Sequence, residues 1–241
     1  MSRAFAAIAS AILLSLTATP AAAQAAADLA GGGLSERVIQ IFLIGTVLSL
    51  APGLAMMATS LPLIVIVLSI LRQGAGLQQS PPNMLIMSLA IFLTWFVMEP
   101  VFLDAWHAGV EPLLAKEIGD KEAISRVIKP FATFMNARVD PGALETLASA
   151  RGVASLGDDG GANLSLLAPA FVLSEIQRAF EIGFVILLPF LIIDLLIASV
   201  LMAMGMMMVP PGIVSLPFKL AFFVLTNGWV AVSGALVRSY S

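Results

Sequence analysis

Long apolar stretches separated by short polar ones dominate this chain. Positions 38–71 contain no ionisable residue, and as one straight helix they would extend about 51 Å at 1.5 Å per residue. That length exceeds the roughly 30 Å hydrocarbon core of a bilayer. Pro52-Gly53 and Pro62 interrupt the run, and proline kinks or breaks helices. The pattern therefore predicts two helical pieces, or one span with a broken extension.

A polar turn and a second apolar segment follow. Residues 72–83, RQGAGLQQSPPN, are rich in glycine, proline and amide side chains, which is typical of a turn. Residues 84 to about 103 are apolar again, interrupted late by Glu99-Pro100. Residues 38–103 are thus predicted to form N-terminal hydrophobic helices joined by a turn at 72–83.

The middle of the chain is charged. Residues 104–159 hold six Lys/Arg and nine Asp/Glu. Helical patterns at 121–137 and 142–150, together with a glycine- and aspartate-rich loop at 157–161, predict a small acidic helical domain at 104–165.

The C-terminal hydrophobic helices are predicted at 166–241. Residues 182–209 are apolar except for Asp194, and an intramembrane carboxylate is costly enough to mark a candidate functional site. Its partner must lie on another segment or subunit, or the carboxylate must lie in water. Pro210, Pro211 and Gly212 predict a helix-breaking turn, within a methionine-rich turn at 206–212.

Two further groups of residues are candidates for function. Glu175, Arg178 and Glu181 are spaced three apart, so on a helix the arginine can pair with both carboxylates. This spacing leaves open either a buried ion cluster at an inter-helix or inter-subunit contact or a solvated helix entrance. Met206, Met207 and Met208 favour ordinary packing by spacing alone, but at a turn they could also line a constriction with deformable side chains.

The N-terminus carries a targeting pattern. Arg3, an apolar stretch and the sequence AAA at 21–23 predict a cleaved signal peptide at 1–23, followed by a linker at 24–37. The N-terminus of the mature chain would then lie outside the cytoplasm. A first crossing would then place Arg72 on the cytoplasmic side, and a second crossing would place the acidic domain in the periplasm.

Composition narrows the class of protein. Hydrophobic residues make up 59% of the chain and charged residues 11%, whereas soluble proteins carry roughly 25% charged residues. These values predict an integral membrane protein, and the formal net charge of −3 predicts no basic surface for nucleic acid. The chain has no cysteine and one histidine, His107. We therefore expect no metal site, no cysteine nucleophile and no histidine-based triad, and the chain is not predicted to be an enzyme.

Several blocks of sequence resemble the family of the flagellar biosynthetic protein FliP. The long blocks are LSEIQRAFEIGF at 173–184, LLPFLIIDLLIASVLMAMGMMMVPP at 187–211 and LPFKLAFFVL at 216–225. Shorter matches are MMATS at 56–60, SPPN at 80–83 and LAIFLT at 89–94. The resemblance runs over nearly all of the chain after the predicted signal peptide.

This resemblance implies an all-α, membrane-associated protein with broken helical hairpins and a small helical periplasmic domain. Members of the family form a homo-oligomeric helical ring, pentameric in the family, with FliQ-like and FliR-like subunits. The ring is an inner-membrane channel of the flagellar basal body, beside FlhA-like and FlhB-like proteins. Unfolded rod, hook and filament proteins pass through it. The methionine-rich loop of the family forms a gasket around the closed pore, which corresponds to Met206, Met207 and Met208.

The resemblance implies no cofactor. An equivalent subunit of a virulence-type III secretion system and a small-solute transporter stay open as alternatives. The chain departs from the family at Leu61-Pro62-Leu63, where an arginine-containing stretch is common. The contacts of that arginine cannot be transferred to this chain.

Overall fold

The computed structural model describes residues 56–77, 80–152, 164–206 and 208–240, together with single helical positions between 38 and 53. The chain divides into two units, Met1–Pro52 and Gly53–Ser241. The predicted signal peptide at 1–23 and the linker at 24–37 lie outside the described residues. Every regular element of the described part is a helix, which confirms the predicted all-α class.

The second unit is organised around helix α1, Leu61–Gly74. Pro62 lies in the first turn of this helix. Backbone N–H groups there have no acceptor within the helix, so the missing N–H of proline costs no hydrogen bond. The buried residues form one helical face, and they are Leu61, Leu63, Ile64, Val67, Leu68 and Leu71. Leu61 and Leu63 thus belong to the core.

Helix α2, Asn83–Ala105, continues into a π-helical segment, Trp106–Val110, and a short helix α3, Glu111–Leu114. Glu99-Pro100 interrupts the apolar pattern but not the helix, because α2 runs through Pro100. At Gly109, an added Cβ would lie 2.9 Å from the Ala123 carbonyl oxygen. Glycine therefore lets the π-helical segment lie directly against the helix Asp120–Arg138.

Two helices follow in the charged region: α4, Asp120–Arg138, and α5, Pro141–Arg151. They cover the two helical patterns seen in the sequence. Asp140 caps α5, because its side chain accepts the Ala143 N–H at 3.1 Å, and Gly152 ends the helix in the left-handed conformation with φ of 67°. The glycine- and aspartate-rich loop at 157–161 lies outside the described residues.

Helix α6, Leu164–Ala203, has 40 residues and is therefore about 60 Å long. It packs against α1, α4 and α5, and against the helix that follows it, Pro211–Leu225. Gly183 permits the close approach of α1, because a Cβ there would lie 2.4 Å from Ile70 Cδ1. Pro169 and Pro189 both lie inside this helix without ending it.

The last apolar segment of the chain is two helices. They are α7, Pro211–Leu225, and α8, Gly228–Arg238, bent by 57° relative to each other. Asn227 adopts the left-handed conformation with φ of 49°, which bends the chain between them.

Within the described part of the chain, two stretches are long and apolar enough to cross a membrane. These are Asn83–Leu114 with 32 residues and Leu164–Ala203 with 40, and the bent pair α7–α8 would make a third. Helix α1 is shorter and lies in the core. Large apolar side chains of α2 and α6 remain exposed. Exposed apolar surfaces of this kind are typical of contact with lipid or with other subunits.

Candidate functional site

The methionine loop, residues 204–210, begins where α6 ends. The Gly205 N–H donates to the Met202 carbonyl and the Met206 N–H to the Leu201 carbonyl, both at 3.0 Å. This pair of bonds is the Schellman arrangement, which ends a helix at a left-handed glycine. Gly205 has φ of 73°, which other residues adopt only with strain. Gly205 therefore ends α6 directly before Met206, Met207 and Met208 in the sequence.

The methionine side chains that the structure describes in this loop are exposed. Met204 and Met206 are exposed, and Met208 is 97% exposed. Met207 lies outside the described residues. Three-bond thioether side chains in such a position can adapt their shape to whatever they contact.

Pro210, Pro211 and Gly212 connect the methionine loop to α7. Pro210 is extended, with φ of −66° and ψ of 119°, and Pro211 is the first residue of the helix. Gly212 lies in its first turn. The turn that the sequence predicts here is thus the start of a helix that proline favours.

Asp194 on α6 faces α7 and forms the aspartate cluster with Lys219 and Ser215. Lys219 Nζ donates to Asp194 Oδ2 at 2.6 Å, and Ser215 Oγ donates to Oδ1 at 2.5 Å. The Lys219 side chain is 12% exposed and that of Asp194 35%, while Ser215 is fully buried. The cationic partner of Asp194 is thus on the next helix of the same chain, and each charge lowers the cost of placing the other in an apolar layer.

Glu175 on α6 is completely buried and is the centre of the glutamate cluster, which also contains Arg138, Arg178 and Tyr240. Arg138 Nε donates to Glu175 Oε1 at 3.0 Å, and Arg178 Nη1 lies 3.8 Å from the same oxygen. The Tyr240 hydroxyl donates to Oε2. Both carboxylate oxygens are therefore satisfied, as a buried charge requires.

Tyr240 and Arg138 bind each other as well as Glu175. Arg138 Cζ lies 3.7 Å from the centre of the Tyr240 ring, a cation–π contact, and Arg138 Nη1 donates to the Ser239 carbonyl at 3.0 Å. Burial, and after it the charge of Glu175, raises the pKa of Tyr240 above its ordinary value, so the phenol keeps the proton that it donates. The glutamate cluster joins the end of α4, the first third of α6 and the residues after α8.

Ser174 adds a second polar link at the same level of α6. Its hydroxyl accepts the Asp140 N–H at 2.9 Å and donates to the Ala170 carbonyl at 2.7 Å. The α4–α5 connection is therefore held on α6 by Ser174 and by Glu175 together.

Glu181 is not part of the glutamate cluster. It is exposed and accepts a hydrogen bond from Gln177 Nε2 at 3.1 Å. The spacing allowed Arg178 to pair with either neighbour, and within ion-pair distance the structure shows only Glu175. A buried carboxylate gains more from a nearby cation than an exposed one does.

The turn at 72–83 is held by Arg72, at the end of α1. Arg72 Nη1 donates to the Pro81 carbonyl at 3.2 Å and to Asn83 Oδ1 at 2.5 Å. The SPPN block at 80–83 thus supplies acceptors for the arginine. Among the described residues, no group of His, Asp and Glu is arranged to hold a metal ion.

Long apolar helices, a methionine loop and two ion clusters define the class: an all-α membrane protein in which ion pairs at Glu175 and Asp194 join different helices. A sequence model of the FliP family matches residues 44–236, and the chain belongs to that family. It is 47% identical over 238 residues to the flagellar biosynthetic protein FliP of Agrobacterium fabrum, which covers 96% of this chain and 97% of that protein.

Other relatives with the same name extend these matches. The FliP of Caulobacter vibrioides is 46% identical over 233 residues, covering 95% of this chain and 88% of the relative. That of Bacillus subtilis is 40% identical over 205 residues, covering 84% and 91%. The resemblance seen in the sequence is thereby confirmed.

Proposed function

We propose that this chain is a core subunit of the flagellar type III protein export gate in the bacterial inner membrane. Several copies assemble with FliQ-like and FliR-like subunits around a channel for unfolded rod, hook and filament proteins. FlhA-like and FlhB-like proteins are the neighbouring export components. The observation that carries this proposal is the family match over 44–236, supported by exposed apolar faces on α2 and α6 that a single copy leaves uncovered.

In this proposal the α4–α5 region is periplasmic and the methionine loop lines the closed channel. Met206, Met207 and Met208 seal against ions when the channel is empty, because flexible thioethers fill irregular gaps. They deform around an unfolded polypeptide during export. Support comes from the exposure of Met206 and Met208 beside the fixed helix end at Gly205.

The assembly is tested by gentle detergent purification with co-expressed FliQ-like and FliR-like proteins, followed by native mass measurement. A multi-copy complex with both partners, together with loss of flagellin export on deletion of this chain, supports the proposal. A lone monomer that moves a small solute by itself would instead establish a transporter. Intact flagellin export in the deletion strain, with loss of a virulence secretion pathway, would establish the virulence-type alternative.

Replacing Met206, Met207 and Met208 together by alanine is expected to raise the leak of small ions several-fold while protein export largely persists. The change shortens each side chain and so widens the constriction without removing the channel. Ion flux into proteoliposomes that contain the assembled complex measures the leak. Met84→Ala, at an exposed methionine of α2, is the control and leaves the leak unchanged. A triple variant as tight as the parent would contradict the gasket role.

A further inference from the structure

A groove of about 660 Å³ lies between α2 and α8 and is called the α2–α8 groove below. Its walls are mainly apolar and include Leu89, Leu93, Phe96, Trp229, Val230 and Val237. Phe96 and Val230 are exposed, so the groove is open to its surroundings. Helix α2 belongs to a membrane-length stretch, and α8 belongs to the bent pair that would make a third span. The groove therefore lies between two candidate membrane spans.

Arg238 is the one charged side chain among the described residues that line the α2–α8 groove. It is exposed, at the last position of α8. Its Nη1 atom lies 3.4 Å from the place that a Cβ on Gly234 would occupy. The guanidinium group therefore lies back along α8, over a glycine that leaves room for it.

The donors of Arg238 are unused within the described part of the chain. An arginine carries five N–H donors, and the ion pairs of the described residues all join other side chains. Glu99, the first acidic residue after Phe96 on α2, is exposed and does not line the groove. The apolar walls thus end at a cation that no described carboxylate neutralises.

The length of the α2–α8 groove corresponds to one leaflet of a bilayer. Arg238 is two positions before Tyr240, whose hydroxyl donates to Glu175, so the charged end of the groove lies near the glutamate cluster. Trp229 is nine positions before Arg238, or about 14 Å along a helix axis. This distance is close to half of the roughly 30 Å hydrocarbon core. With Arg238 at the level of the head groups, the apolar walls would span one layer of acyl chains.

We propose that the α2–α8 groove binds an anionic phospholipid, with an acyl chain along its apolar walls and the phosphate on Arg238. A guanidinium group binds phosphate through two parallel hydrogen bonds, and anionic lipids attract basic side chains at the membrane surface. A free phosphate ion has no chain to place against the apolar walls, whereas a lipid buries them. The inference goes beyond the proposed function, because it requires a chain in a bilayer but not an export gate.

Tryptophan quenching tests the lipid site, because the chain has three tryptophans and one of them, Trp229, lines the groove. Replacing Trp95 and Trp106 by phenylalanine leaves Trp229 as the reporter in the full chain. Vesicles contain phosphatidylcholine and phosphatidylglycerol, with bromine on the acyl chains of one lipid or of the other. We expect phosphatidylglycerol to be preferred at Trp229 about fivefold, the factor that corresponds to about 1 kcal/mol for one basic residue. Arg238→Gln should remove this preference, and Arg126→Gln, at an exposed arginine outside the groove, should keep it.

A steric variant gives a second test that keeps the charge. Gly234→Leu should displace the guanidinium group and remove the preference for phosphatidylglycerol. The three nearest atoms to an added Cβ all belong to Arg238, and leucine favours a helix more than glycine does, so the fold should persist in thermal unfolding. Inorganic phosphate should not compete with the lipid. Equal quenching by both lipids in the parent, or a preference that survives Arg238→Gln, would overturn the site.

The complex with co-expressed FliQ-like and FliR-like proteins supplies an independent readout. Native mass measurement should show retained phosphatidylglycerol that the Arg238→Gln complex loses. An assembled complex that retains none would show that another subunit occupies the groove, which overturns the lipid site and leaves the proposed function standing. A chain that does not assemble but keeps the preference at Trp229 would overturn the proposed function and support the lipid site.

Discussion

Replacing Glu175 by alanine is expected to lower the free energy of unfolding by about 3–5 kcal/mol, the usual cost of breaking a buried ion pair from one side. The change leaves Arg138 buried without its carboxylate and removes the acceptor of the Tyr240 hydroxyl. The α4–α5 pair should then lose one of its two polar links to α6. Thermal unfolding of the purified protein in detergent measures the loss, and limited proteolysis should show earlier cleavage near α4.

Glu181→Ala is the matched control, with the same residue type on the same helix in an exposed position. It should change stability by no more than about 1 kcal/mol. The double variant Arg138→Met with Glu175→Leu should be more stable than either single change, because no unpaired charge remains buried. If Glu175→Ala melts like the parent, the cluster does not stabilise the fold.

Replacing Asp194 by asparagine is expected to abolish motility and to reduce assembly strongly. The amide keeps the shape of the carboxylate but leaves the largely buried Lys219 ammonium without its counter-charge. An unpaired lysine within an apolar segment costs about 2.5–3.5 kcal/mol on the insertion scale. Soft-agar swimming and native mass of the purified complex measure the two effects.

Ser215→Ala is the control for this pair, because it removes a hydrogen bond to Asp194 without changing charge. It should cost about 1 kcal/mol and leave swimming intact. Combining Asp194→Asn with Lys219→Met removes both charges and should recover part of the assembly. Full motility of the Asp194→Asn strain would show that the charge is dispensable.

The sequence predicts helix boundaries where a residue with special backbone chemistry marks them. Pro62 and Pro211 lie in the first turns of α1 and α7, as their missing N–H groups require. The bend between α7 and α8 is marked by Asn227-Gly228, a pair typical of turns, although the apolar pattern resumes directly after it. Proline alone is not a sufficient mark, because α6 runs through Pro169 and Pro189.

The candidate residues were predictable, but most of their partners were not. Asp194 and Lys219 are isolated charges in apolar segments, so mutual neutralisation was the signal that could have paired them. Arg138 and Tyr240 are far from Glu175 in the chain, and no local spacing connects them. Helical spacing predicts only which residues are neighbours on one helix. Arg178 lies near Glu175 rather than Glu181 because other segments bury Glu175.

The length of α6 changes what its two charges cost. Glu175 and Asp194 are separated by 19 positions, or about 28 Å along the helix axis, close to the roughly 30 Å thickness of the hydrocarbon layer. A rod of this length can hold one cluster near each face of the bilayer, so neither charge has to lie at the midplane. The distance between the two clusters thus matches the thickness of the hydrocarbon layer. A much thicker bilayer would place one of the clusters inside the hydrocarbon layer.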